Sequence, residues 1–226
     1  MIHFDPLYFL LVGPAFFLAL WAQWRISANY SKASQLPAPL TGAAAARHIL
    51  NSAGLSNVGI EMVPGHLTDH YDPRDKVLRL SQDIYGGRSL AAVGIAAHEA
   101  GHAIQDARGY APLVIRNAAV PMAGFGSGAG MFMLMFGIIL SIPALIWVGI
   151  IAFSGVVLFQ LINLPVEFNA SARAKAELVH LGIVAADEMY YVNKVLGAAA
   201  MTYVAATLQA VMTLVYYLLR FGNSRD

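Results

Sequence analysis

The run from Asn117 to Val166, NAAVPMAGFGSGAGMFMLMFGIILSIPALIWVGIIAFSGVVLFQLINLPV, contains no Lys, Arg, Asp or Glu. A bilayer core takes about 20 apolar residues per helix, so this run is long enough to cross twice. Ser141-Ile142-Pro143 is the natural break, because proline cannot extend a helical hydrogen-bond ladder and serine can cap the next helix. The pattern predicts a transmembrane hairpin over Val120–Leu140 and Pro143–Leu161. Gly124, Gly126, Gly128 and Gly130 alternate through the start of its first helix. Small residues let helices approach closely in lipid, so these glycines are expected to form a packing face rather than a loop.

Working outward, two more apolar runs qualify as spans. Leu7–Trp24 lies between Asp5 and Arg25, with Trp21 and Trp24 suited to the membrane interface, and Leu196–Leu219 is closed by Arg220 and Arg225. No basic stretch precedes Leu7, so the first run is expected to be a retained anchor rather than a cleaved signal. The whole chain agrees: it is 58% hydrophobic and 12% charged, against roughly 25% charged in soluble proteins. A net charge of +1 gives no footing for a nucleic-acid partner. The absence of cysteine excludes disulfides, iron–sulfur clusters and thiolate metal sites. Any metal must be held by imidazole and carboxylate.

The expected organisation is therefore residues 1–25 as an N-terminal transmembrane helix, 26–117 as a polar α+β segment, and 118–163 as the hairpin. Residues 164–195 are expected to form a helical segment, 196–220 the C-terminal transmembrane helix and 221–226 a tail. The expected fold class is mainly α, a polytopic membrane protein with about four transmembrane helices and a small α+β domain at the membrane surface. Four spans put both termini on one side, and residues 25–116 and 165–195 on the other. Twelve of the fourteen Lys and Arg fall in those two segments. By the positive-inside rule that side is cytoplasmic, giving a multi-pass protein of the bacterial inner (plasma) membrane.

Within the polar segment, Thr41 is a fitting N-cap for a helix through Ser52, and Gly54 a fitting stop. Val58–Val63 and Lys76–Leu80 read as strands, separated by turn signals at Pro64-Gly65 and Asp72-Pro73. His66 and His70 are expected in the intervening loop. Asp69-His70-Tyr71-Asp72 reads either as a hydrogen-bonded turn or as a group that orients substrate. Ser89 can cap the next helix, Ala91–Ala107, and an edge strand beside that helix would suit pairing with an extended peptide.

That helix carries His98-Glu99-Ala100-Gly101-His102, which fits H-E-x-x-H. Four residues advance a helix by about 400°, so the two imidazoles share a face and can reach one zinc ion. Glu99 is then placed to act as base, taking a proton from a zinc-activated water as it attacks a carbonyl. Catalytic zinc has three protein ligands, and position 108, where one zincin class places a third His, is Arg. Glu167 is the expected third ligand, because two intervening spans return the chain to the side of His98. Asn169, Ser171 and Arg173 lie close enough in sequence to orient the ligands.

Longer stretches carry a resemblance. Leu67-Thr68-Asp69-His70-Tyr71-Asp72-Pro73, Leu80-Ser81, and Ala96-Ala97-His98-Glu99-Ala100-Gly101-His102-Ala103-Ile104-Gln105 are three of them. Leu164-Pro165-Val166-Glu167-Phe168-Asn169-Ala170-Ser171 and Ala198-Ala199-Ala200-Met201-Thr202-Tyr203-Val204-Ala205 complete the set. With these the chain resembles, over nearly its whole length, the bacterial membrane zinc metallopeptidases of the YugP family, also labelled neutral zinc metallopeptidase family 2. The resemblance implies gluzincin-type peptidase chemistry, with Zn2+ on His98, His102 and Glu167, and Glu99 as catalytic base. Related membrane gluzincins often place Asp two residues after the ligand Glu, where this chain has Asn169.

The implied partners are a peptide or protein substrate and the lipid bilayer, without nucleic acid; a homo-oligomer or other membrane proteins are compatible with both. Two alternatives compete. One is an intramembrane protease with the motif inside a span, which Arg88 and Asp106 crowd too closely. The other is a non-catalytic scaffold or chaperone-like protein with a structural zinc site.

Overall fold

The computed structural model describes residues 5–222. In chain order it forms α1 (Pro6–Ser34), α2 (Gly42–Ser52), β1 (Gly59–Val63), β2 (His70–Asp72), β3 (Val77–Ser81) and the short α3 (Gln82–Tyr85). There follow α4 (Leu90–Ala107), α5 (Ala111–Phe125), a π-helical turn (Gly126–Gly130), α6 (Met131–Ile139), α7 (Pro143–His180) and α8 (Met189–Gly222). Arg225, expected to close the last span, lies outside the described residues.

Among the described residues, four helical stretches are long and apolar enough to cross a membrane: α1, Ala111–Ile139, α7 and α8. The motif helix α4 is not one of them. The observed helices run past the expected spans, with α1 reaching Ser34 and α7 reaching His180. Pro165 lies inside α7, so Glu167 sits on a continuation of that helix.

The chain divides into two units. The first takes the chain up to Ala22, Val114–Pro165 and the chain from Met201. Its hairpin turns where Ser141 adopts a left-handed φ of 56° and Pro143 opens α7. A Cβ at Gly126 would strike the Ala152 carbonyl, one at Gly130 would lie 2.6 Å from Ala152 Cβ, and one at Gly137 2.7 Å from Ile146 N. Gly126 and Gly130, two of the four glycines expected to form a packing face, do so, and Gly137 packs as closely. Gly124 and Gly128 point into open space instead. Phe17, Phe132, Ile139 and Ile151 are exposed large apolar side chains, a pattern that suits lipid as the solvent.

The second unit takes Gln23–Leu113 and Val166–Ala200. α2 and α4 start at the predicted caps. Thr41 Oγ1 accepts from Ala44 N–H at 3.1 Å and Ser89 Oγ from Ala92 N–H at 3.2 Å, satisfying N–H groups that a helix start leaves open. The core gathers Ala45, Ala46, Ile49 and Leu50 of α2 with Ala92, Val93, Ala96 and Ala100 of α4, Leu78 and Leu80 of β3, and Val192 of α8. Small residues on α4 set the spacing, since a Cβ on Gly94 would sit 3.1 Å from Val192 Cγ1.

The sheet has the order β1-β3-β2, with β1 parallel and β2 antiparallel to β3. β2 is a correction, because the sequence places His70 in a loop and reads Asp69–Asp72 either as a hydrogen-bonded turn or as a substrate-orienting group, whereas His70–Asp72 forms a strand. The polar groups of that stretch fasten a strand. Arg79 of β3 donates to the Asp72 carboxylate at 2.6 Å, and Asp69 accepts from Ser81 N–H at 2.7 Å. His66 does stay in a turn, between Gly65 at φ 109° and Leu67 at φ 55°. It contacts Asp83 at 3.3 Å.

The Arg74 backbone N–H, with Arg79 and the Arg74 side chain, holds the Asp72 carboxyl down at about 2 from its ordinary 3.8. A depressed carboxyl stabilises the folded state above its unfolded pKa and loses that contribution as pH falls through the folded one. Asp72→Asn should thus lower the thermal midpoint near neutral pH and flatten its fall between about pH 4 and about pH 2. An unchanged acid profile would contradict this.

Candidate metal centre

The helical repeat of α4 brings His98 and His102 together, with ring centroids 4.8 Å apart and planes at 82°. The carboxylate facing them is Glu167 of α7, whose Oε2 lies 3.2 Å from His98 Nε2 and 3.7 Å from His102 Nε2. One ligand atom from each residue lies within 4.8 Å of the other two. Donors arranged tetrahedrally around zinc at its usual bond lengths stand about 3.3 Å apart, so the trio is nearly at coordination distance. Two imidazoles and a carboxylate are also a donor set that zinc accepts. The residues fit the ion.

Gly101, inside the motif, makes this approach feasible. A Cβ there would lie 2.6 Å from the Ala170 carbonyl oxygen of α7, so only glycine lets the two backbones close to this distance. The site is enclosed: the side chains of His98, His102 and Glu167 are 14%, 9% and 9% exposed. Glu99 is buried as well but is not part of the converging trio. It follows His98 on the helix, and its charge acts on His102. Burial pulls the His102 imidazole down, yet the facing Glu167 carboxylate and the Glu99 charge outweigh that and raise it.

Each ring is held from behind at Nδ1. Ser171 Oγ is 3.1 Å from His98 Nδ1, and Gln105 Oε1 is 2.9 Å from His102 Nδ1. Both Nε2 atoms thereby face Glu167. Of the residues expected to orient ligands, Ser171 touches one directly, whereas Asn169 reaches Gln105 at 3.1 Å and Arg173 at 2.7 Å. Gln105 went unassigned in the sequence, although an amide three residues after His102 on a face of small residues was a usable signal. Tyr71 of β2 donates to Asp106 at 2.8 Å, which ties the edge strand to the motif helix. Burial, followed by its bond to Asp106 and that residue's charge, pushes the Tyr71 phenol up, so it remains a donor. His66 and His70 take no part in the trio.

A family model described as "Putative neutral zinc metallopeptidase" matches residues 8–222. The protein named "Putative membrane protease YugP" from Bacillus subtilis (strain 168) is 46% identical over 222 residues, covering 97% of this chain and 99% of that one. No solved structure matches the chain.

If the Gly101–Ala170 approach sets the site, Gly101→Val should destabilise the protein by about 1–3 kcal/mol through overpacking and reduce zinc occupancy. Thermal unfolding and metal analysis of the purified variant would check both. Full zinc content in that variant would contradict it.

Proposed function

This chain belongs to the neutral zinc metallopeptidase family, and we propose that it is a membrane-bound zinc-dependent endopeptidase acting on membrane or membrane-associated proteins. The observation that carries the reading is the buried convergence of His98, His102 and Glu167, with Glu99 beside it. His98 and His102 through Nε2, and Glu167 through its carboxylate, would hold Zn2+. When bound, zinc supplies Lewis acidity, which polarises a carbonyl and makes water a usable nucleophile near neutral pH. Glu99 takes the proton from the attacking water and passes it to the leaving amine. Burial around the trio restricts bulk water, which strengthens these electrostatic interactions. An extended substrate segment is expected to pair along β2, the edge strand fastened to α4 through Tyr71 and Asp106.

Three protein donors converge among the described residues, whereas structural zinc sites are closed by four. That favours catalysis over a structural site in a scaffold. The charge distribution supports a multi-pass protein of the bacterial inner membrane, with the motif segment cytoplasmic.

Glu99→Gln should keep zinc and lower peptide hydrolysis by about 10²–10⁴-fold, as loss of a general base does. Glu167→Gln should weaken zinc binding by more than about 100-fold, exceeding the usual effect of an outer-sphere partner. Peptide-cleavage assays and metal titration of both variants test this. Retained hydrolysis in Glu99→Gln, or unchanged zinc affinity in Glu167→Gln, would refute the respective role.

A further inference from the structure

We infer that Gln105 is the positioning residue for His102, and that its amide orientation is dictated by a hydrogen-bond relay beginning at Arg173. The inference rests on the metal-centre reading above.

Arg173 Nε–H can only donate, and it meets Asn169 at 2.7 Å, so Asn169 turns its oxygen toward it. The same Oδ1 lies 3.1 Å from Gln105, and the Val166 carbonyl oxygen, also an acceptor, lies 2.8 Å away. Two acceptors on one side of Gln105 require its NH₂ there. The flipped amide would set an oxygen against two oxygens. Gln105 Oε1 must therefore face His102 Nδ1, 2.9 Å away, and that nitrogen must carry the hydrogen. The His102 Nε2 lone pair is left for the metal.

Gln105 is fully buried, so water cannot replace a partner it loses, and an unpaired buried polar group is expensive. Ser171 does not impose the same logic on His98, since a hydroxyl rotates and either donates or accepts. A neutral amide also orients the imidazole without adding charge to a site that already holds Glu99 and Glu167. Only the oxygen of Asn169 is used in the relay, and a carboxylate there could accept from Gln105 and Arg173 alike.

The test uses the full-length protein in detergent with zinc as the probe, comparing wild type, Gln105→Leu, Asn169→Asp and Asn169→Leu. Chelator competition reads zinc affinity, and ¹⁵N-histidine spectra of the zinc-loaded protein read which ring nitrogen carries hydrogen. Wild type should show His102 with an exchange-protected Nδ1–H. Gln105→Leu should lose that protection and bind zinc about 10–100-fold more weakly, while Asn169→Asp stays within about threefold of wild type. A His102 that carries hydrogen on Nε2, or wild-type zinc affinity in Gln105→Leu, would overturn the inference and leave the metal centre standing. Failure of the wild type to bind zinc would instead sink the metal-centre reading, and the inference with it. If Gln105→Leu does not fold, the wild-type spectrum and Asn169→Leu decide, the latter expected to weaken zinc binding and contradicting the relay if it does not.

Discussion

At Gly101 the backbone of α4 meets the backbone of α7, and no side chain fits between that Cα and the Ala170 carbonyl oxygen. The candidate metal centre depends on this approach. Glu167 stands about one helical turn before Ala170, so the distance between the two helices sets how far its carboxylate lies from the imidazoles. A wider separation would leave a two-histidine face without its third donor. The small residues along α4 serve the same end from behind, letting α2 and α8 pack close and hold the motif helix in place.

The site also shows how an apolar chain supports polar chemistry. Burial raises the energy of any unpaired charge or amide, so each polar group there needs a partner. Glu167 meets both imidazoles, each imidazole is backed at Nδ1, and Gln105 is satisfied at both ends of its amide. The outcome is a set of nitrogen and oxygen atoms turned inward together, which is what a metal ion requires.

Much of this was legible in the sequence, for physical reasons that can be named. The charge-free run of residues 117–166 and the H-E-x-x-H spacing report on burial and helical period, which are local properties. The Thr41 and Ser89 caps are local as well, and both hold in the structure. Glu167 required only a parity argument about spans. β2 was not legible, because its pairing depends on Arg79 and Ser81, several residues away, capturing Asp72 and Asp69. The π-helical turn at Gly126–Gly130 and the open faces of Gly124 and Gly128 were hidden in the same way. Gln105 was visible as a residue, but its role depends on Val166 and Asn169, which lie some sixty positions further along the chain.

The central claim is that His98, His102 and Glu167 form one zinc site. X-ray absorption at the zinc edge of the purified full-length protein tests it most directly. One zinc per chain is expected, with two imidazole nitrogens and carboxylate oxygen in a shell at about 2.0–2.2 Å. A chain that binds no zinc, or a zinc shell without two imidazoles, would contradict it.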